Sequence, residues 1–364
     1  MSAIRVLHII DSFDLGGAQT ALLNLVRATD RTRYAPEVAT MHGRGVFWDD
    51  FVQLGVPVHS LSPHKLLPLY LPKLAALILA RRPQIVHCHL FGSNWIAKPL
   101  AALLGVPVRV NHDQCNDALR YEKPLARWWD TVTNGLSSHI CAVSASTRDF
   151  LLQNEGLAAD RVSLVYNGVD TARFNPTEKK PRSNPFVILG VGRLNYQKNF
   201  ALFLEIAAEL VKRERAVEFR LAGTGPEEAS LRALAAQLGL GERVRFLGHV
   251  HDTRQLYADA DLLLMTSRFE GTPLTILEAM AMRLPIVAPR LDGIGEILRP
   301  GEDALLVDPT ERAGFVAEVE KLIDEPALAT RLAESSHAKV HASFSSEAMV
   351  RQVETIYERC LAKA

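Results

Sequence analysis

Short apolar runs alternate with longer amphipathic segments from one end of the chain to the other. That is the pattern of parallel strands joined by crossover helices that cover the sheet. In the first half, strands are predicted at Ile4–Ile10, Glu37–Met41, Val56–Leu61, Ile85–His89, Val108–Asn111, Ile140–Val143 and Val162–Val165. In the second half they are predicted at Phe186–Gly190, Glu218–Ala222, Arg243–Leu247, Leu262–Met265, Ile286–Ala288 and Ala304–Val307. Each half therefore reads as its own doubly wound α/β domain, and no shorter repeat is visible inside either. Between them, N-P-T-E-K-K-P-R-S-N-P (Asn175 to Pro185) is polar, rich in proline and without periodicity, as an exposed linker is. The expected domains are residues 1–180 and 181–345. A chain of 364 residues also exceeds what a single core usually supports.

Composition narrows the class. A hydrophobic fraction of 48% and a mean hydropathy of +0.04 are ample for a core and too low for a membrane-embedded chain. Net charge is +0, which points away from nucleic acid. The first half carries a slight basic excess and the second a slight acidic one, so an anionic partner suits the first. Cys88, Cys115, Cys141 and Cys360 form no C-x-x-C pair, as expected in a reducing compartment. The N-terminus lacks a basic leader followed by an apolar core, so a cytoplasmic location is expected. Leu66 to Ala80, the most apolar stretch, contains Pro68, Pro72 and Lys73 and falls short of the roughly 20 apolar residues of a spanning helix.

In doubly wound sheets ligands sit outside the carboxyl ends of strands, so motifs are weighed by that placement. E-G-T-P-L-T-I-L-E places Glu270 before a helix and Glu278 one to two turns inside it. The amides of Leu274 and Thr275 then lie at the helix N-terminus, where unpaired N–H groups and the dipole favour an anion. Hydroxyl acceptors flanking phosphate donors suit a sugar carried on a diphosphate. V-G-R-L-N-Y-Q-K-N puts Gly192, Arg193 and Lys198 between a strand and a helix, two cations suited to one diphosphate. Gly223 and Gly225 of G-T-G-P follow the next strand, as a tight turn or a close approach to base or ribose. Gly16 and Gly17 follow the first strand and suit either a simple turn or an approach to phosphate or acceptor sugar; they match neither G-x-G-x-x-G nor the P-loop. Strand alternation puts His87 and His89 on one face and Cys88 on the other, which argues against a zinc site from all three. His89 should emerge at a cleft and His87 should be a hydrogen-bonded interior residue. His112 and Asp113 also end a strand, point apart, and leave one of them to line the cleft. Asp259-Ala260-Asp261 resembles a metal-holding D-x-D triplet but falls at the wrong end of a strand and reads as structural. Ile276, Leu277, Met280 and Met282 read as core.

Together, V-G-R-L…Q-K-N, G-T-G-P, F-E-G-T-P-L-T-I-L-E-A-M-A and Y-N-G-V-D-T-A-R-F resemble the retaining nucleotide-sugar glycosyltransferases of glycosyltransferase family 4 (glycosyl transferases group 1). The likeness spans the chain and is most specific over residues 186–310. It implies a GT-B fold, with two Rossmann-like doubly wound parallel-sheet domains facing a central cleft. It also implies a last helix, within residues 346–364, that crosses back to the first domain, which fits the amphipathic run Glu347–Leu361. By the same resemblance Arg193 and Lys198 neutralise the diphosphate, Glu278 binds the ribose and Glu270 contacts hydroxyls of the transferred sugar. His89 touches the donor sugar near the reacting carbon, Gly16 and Gly17 lie near phosphate and acceptor, and backbone around Phe246 to Val250 holds the base. Gly271 falls within the same donor motif. No cofactor and no metal are implied beyond the nucleotide-diphosphate sugar itself, with UDP favoured over GDP.

The acceptor leaves less trace. A saccharide or lipid-linked hydroxyl is implied by family habit, with His112 and Asp113 as acceptor-side candidates. Residues 119–129 combine Arg120, Lys123 and Arg127 with Tyr121, Trp128 and Trp129, and Lys73, Arg81 and Arg82 add charge to the Leu66–Arg82 segment. Such mixtures suit either an anionic membrane surface or ordinary helices with buried tryptophans. Two other classes stay open: a non-catalytic sugar-nucleotide-binding protein on the same scaffold, and a nucleotide-sugar epimerase.

Overall fold

A computed structural model describes residues 3–62, 70–114, 124–176 and 182–364. The chain divides into two compact units, Met1–Gly168 with Ser346–Ala364, and Val169–Ser345. The first unit contains β1 (Ile4–Ser12), α1 (Gly17–Ala28), β2 (Tyr34–His42), α2 (Trp48–Gln53), β3 (Val58–Ser60), α3 (Tyr70–Arg81) and β4 (Ile85–His89). It continues with α4 (Phe91–Leu103), β5 (Val108–Asp113), α5 (Pro124–Gly135), β6 (His139–Ala142), α6 (Ala145–Glu155) and β7 (Val162–Leu164). The second contains β8 (Phe186–Val191), α7 (Phe200–Lys212), β9 (Val217–Ala222), α8 (Glu228–Gln237), β10 (Val244–Gly248), α9 (Arg254–Asp259) and β11 (Leu262–Leu264). It ends with α10 (Leu274–Ala281), β12 (Ile286–Pro289), α11 (Asp292–Gly295), β13 (Leu305–Val307), α12 (Arg312–Asp324) and α13 (Pro326–Ser343). The last helix, α14 (Ser346–Leu361), returns to the first unit.

Both sheets are wholly parallel, in the orders β3-β2-β1-β4-β5-β6-β7 and β10-β9-β8-β11-β12-β13. In each, the order reverses beside the first strand, between β1 and β4 and between β8 and β11, which is where doubly wound folds open their ligand crevice. The predicted strands are all present. The continuous apolar character of the central strands follows from burial on both faces, as at β4, where every residue is buried. Helix α7 shows the complementary logic: Phe200, Phe203, Leu204, Ala207 and Leu210 recur at helical spacing and are buried on β8 and β9.

Helix α14 lays Met349, Val350, Val353, Ile356 and Tyr357 over the face formed by Val6, Ile10, Val110 and Cys141. The contact division falls at Gly168/Val169, ahead of the expected linker near residue 180. The reason is local: Val169 bridges Ser345, Arg173 pairs with Asp252 at 3.4 Å, and Phe174 packs edge-on to Tyr257. Asp261 accepts hydrogen bonds from Ser183 N at 3.0 Å and Val187 N at 2.8 Å, so the D-x-D triplet ties down the start of β8. Ile276, Leu277, Met280 and Met282 are buried. The tryptophan pair splits: Trp129 donates to Trp95 O, whereas Trp128 is 60% exposed. Tyr121, Arg120, Lys123 and part of the Leu66–Arg82 segment lie outside the described residues.

Candidate functional site

The loops that leave β8, β9, β10 and β11 at their carboxyl ends are locked to one another. Gly192 N donates to Ala222 O at 3.0 Å, Leu194 N to Thr224 O at 3.0 Å, and Gly223 N to Gly248 O at 2.8 Å. A Cβ on Gly223 would overlap Gly192 O, and one on Gly225 would overlap Leu194 O; Gly223 also has a φ of +141°, so neither position accepts a side chain without moving backbone. On the other side, Arg268 N donates to Gln197 O at 2.8 Å and Thr266 Oγ1 to Lys198 O at 3.1 Å. This stitching sets Lys198 Nζ 2.6 Å from Glu270 Oε1, with side chains 16% and 6% exposed. The stem of Lys198 passes against Gly192. Arg193 stands exposed on the same loop, with no ion pair among the described residues. Val250, two residues beyond β10, is half-buried.

Gly271 leads into α10. The first bonds of this helix run from Ile276 N and Leu277 N back to Pro273 O, and Pro273 offers no side-chain cap. The amides of Leu274 and Thr275 precede the helical ladder and carry its positive end. Thr275 Oγ1 is buried without a hydrogen-bond partner. Glu278, one turn further, is 8% exposed and accepts from Tyr257 Oη at 2.7 Å. Burial raises its carboxyl to about 7, against the downward pull of the Tyr257 bond and of Arg173. The sequence motif thus contributes Lys198 and Glu270 from neighbouring loops, and the two amides and Glu278 from the start of α10, all within one unit.

The first unit departs from expectation. His89 is 1% exposed and does not emerge at the strand end; its Nε2 lies 3.1 Å from His8 Nδ1. Register explains why: His8 pairs with His87 and His89 with His112 across β1, β4 and β5, so four imidazoles share the face that α14 covers. His87 is the interior histidine expected, bonded at Nδ1 to Tyr357 Oη at 2.6 Å. His112 is 2% exposed with both ring nitrogens unpartnered, so it is not presented as an acceptor-side group, while Asp113 is half-buried. Burial lowers His8 to about 3 and His112 to about 4, and holds His87 and His89 well below the ordinary range, so the cluster is neutral. Ring nitrogens of His8, His87 and His89 lie within 4.8 Å of one another, the one group among the described residues with spacing for a metal; His8 and His89 already face each other. Gly16 and Gly17 open α1, with Gly16 in extended backbone.

Sequence reasoning missed Asp11, whose carboxylate accepts from Gly92 N at 2.8 Å and Ser93 N at 2.6 Å and so occupies the start of α4. It also missed Lys98, fully buried on Asn134 Oδ1 at 2.8 Å and lowered by burial to about 8. Tyr257 was missed as well, since a tyrosine in a short helix gives no pattern to read.

Residues 15–173 match the family described as Glycosyltransferase Family 4, and residues 185–325 the family described as Glycosyl transferases group 1. The chain is 28% identical over 294 residues to alpha-D-kanosaminyltransferase of Streptomyces kanamyceticus, covering 75% of this chain and 76% of that protein. It is 30% identical over 308 residues to EpsF of Bacillus subtilis, described as a glycosyltransferase, covering 78% of each. Among solved structures, HepE of Anabaena in complex with UDP and glucose superposes with a TM-score of 0.86 at 21% identity, over 98% of this chain and 99% of that one. This chain belongs to the GT-B glycosyltransferases of family 4, its second half being the group 1 domain.

Proposed function

We propose that the protein is a retaining glycosyltransferase that moves a hexose or N-acetylhexosamine from a nucleotide-diphosphate sugar to a hydroxyl of a saccharide or lipid-linked acceptor. UDP is favoured over GDP, in keeping with the UDP held by the structural neighbour. The observation that carries the reading is the placement of Lys198 and Glu270 at 2.6 Å, on loops interlocked with the glycine turns and just ahead of the free amides of α10. When the nucleoside diphosphate leaves, negative charge develops on the β-phosphate. Arg193, Lys198 and the Leu274 and Thr275 amides stabilise that charge from fixed positions. Two cations make a metal unnecessary for this step. Glu270 contacts hydroxyls of the transferred sugar, Glu278 takes the ribose, and backbone near Val250 takes the base. The acceptor attacks the face that the leaving group vacates, and a phosphate oxygen takes its proton. His89, buried against His8, is given no part in this step.

The acceptor side is assigned to the first unit, at Gly16, Gly17 and Asp113. A role in cell-surface polysaccharide or glycoconjugate synthesis, at the cytoplasmic face of a membrane, fits the stripe on α5, where Leu125 is 83%, Trp128 60% and Val132 39% exposed. Among the described residues no helix is long and apolar enough to cross a membrane, which leaves peripheral contact as the mode proposed. Incubation with UDP- and GDP-sugars, with and without candidate acceptors, tests the whole reading. Acceptor-dependent release of nucleoside diphosphate is expected. Acceptor-independent conversion of the donor marks an epimerase, and binding without turnover a silent scaffold.

A further inference from the structure

The carboxylate assigned to the ribose is held by a neighbour outside the sequence motif. Tyr257, on α9, is 1% exposed, and its hydroxyl donates at 2.7 Å to Glu278 Oε2. Burial, with Glu278 beside it, keeps the phenol well above its ordinary range, so it remains a proton donor at any working pH. The phenol ring is steadied by Phe174, edge-on at 6.1 Å between centroids. The other charged groups that face Glu278 are Arg173 and Asp252, and they are engaged with each other at 3.4 Å, with Arg254 Nε 2.9 Å from the same Asp252 carboxylate. Glu278 therefore has no cation of its own, one oxygen on Tyr257, and the other, Oε1, without a donor among the described residues.

We propose that Tyr257 is a positioning residue for nucleotide binding: its hydroxyl fixes the plane of the Glu278 carboxylate and leaves Oε1 to accept a ribose hydroxyl. The inference rests on the ribose assignment made above. Its physical basis is that a desolvated carboxylate with no cation partner depends on hydrogen bonds to stay ionised, and the ionised form is the stronger acceptor for ribose hydroxyls, since protonation gives up one acceptor site to the acid's own O–H. Nucleotide affinity is then coupled to the ionisation of Glu278, and Tyr257 sets where on the pH scale that coupling falls.

Calorimetric titration of UDP, and in parallel GDP, into wild type, Tyr257→Phe and Glu278→Gln between about pH 5 and about pH 9 tests this. In wild type the dissociation constant should fall as pH rises through about 7. In Tyr257→Phe the inflection should move up by about one pH unit, with binding near pH 7 weakened about fivefold and restored to within about threefold near pH 9. Recovery at high pH is a readout that a merely structural role would not produce. An unmoved inflection in Tyr257→Phe, with the pH dependence abolished in Glu278→Gln, would overturn the positioning role while leaving the ribose assignment standing. Wild-type binding by Glu278→Gln at every pH, or binding of neither nucleotide to wild type, would overturn the ribose assignment and the inference with it.

Discussion

Replacing Glu278 by Gln should stabilise the ligand-free protein while weakening its hold on the donor. The side chain is 8% exposed, with one hydrogen bond and no cation of its own, and its carboxyl is raised from 4.5 to about 7. A carboxyl whose folded value lies above its unfolded value binds its proton more tightly in the folded state, so its contribution to stability falls as pH rises through the window from 4.5 to about 7. Below that window Glu278 and Gln are both neutral and nearly isosteric, and the variant should match wild type. Above it the wild type bears the full cost of an ionised, desolvated carboxylate, about 3 kcal/mol at 1.36 kcal/mol per pH unit. For a unit of this size each kcal/mol moves the melting temperature by about 2–4 °C, so the variant should melt several degrees higher near pH 8 and with wild type near pH 4.5. Scanning calorimetry without nucleotide reads both points. Equal stability of the two proteins at both pH values would refute the claim that Glu278 is held at a cost, and with it the argument that the charge is kept for a ligand.

Lys198→Ala and Arg193→Ala should each lower turnover at least tenfold, about 1.4 kcal/mol of barrier; the exposed Arg193 should be lost with the melting temperature little changed, whereas loss of Lys198 strands the 6% exposed Glu270 side chain and should lower it, and normal steady-state kinetics in either would remove its diphosphate assignment. Gly223→Ala should fail to reach a native melting transition or lose nucleotide binding, because its Cβ would overlap Gly192 O; a folded, fully active variant would show that the loops can part. UDP at 100 times its dissociation constant should stabilise the protein by about 2.7 kcal/mol over the unliganded form, and GDP at equal concentration by less; a shift with GDP alone would reverse the choice of base. Product analysed by proton NMR should keep the donor's anomeric configuration, and inversion would rule out the proposed attack.

The doubly wound fold was legible because the central strands are buried on both faces and read as short apolar runs, as at Ile85–His89. The grouping of candidate residues in the second unit was legible for a different reason. Lys198 and Glu270 come from strand-end loops and Leu274, Thr275 and Glu278 from the start of α10, each within one compact sequence stretch, so local motifs carry them. The first-unit site was not legible in the same way. His89 and His112 stand at strand ends, yet the fold buries them because α14, distant in sequence, covers that face with Tyr357 and its neighbours. Strand-end position alone does not establish exposure. Tyr257 acts through one hydrogen bond and Asp11 through two, to partners distant in sequence, and such contacts leave no periodicity or spacing to read.

A crystal structure of the protein with bound UDP tests the central claim most directly. The account predicts ribose hydroxyls within about 2.6–3.2 Å of Glu278, and β-phosphate oxygens at similar distance from Lys198 and from the Leu274 and Thr275 amides. A nucleotide bound elsewhere, with the Lys198–Glu270 pair and the Tyr257–Glu278 bond untouched by ligand, would contradict it.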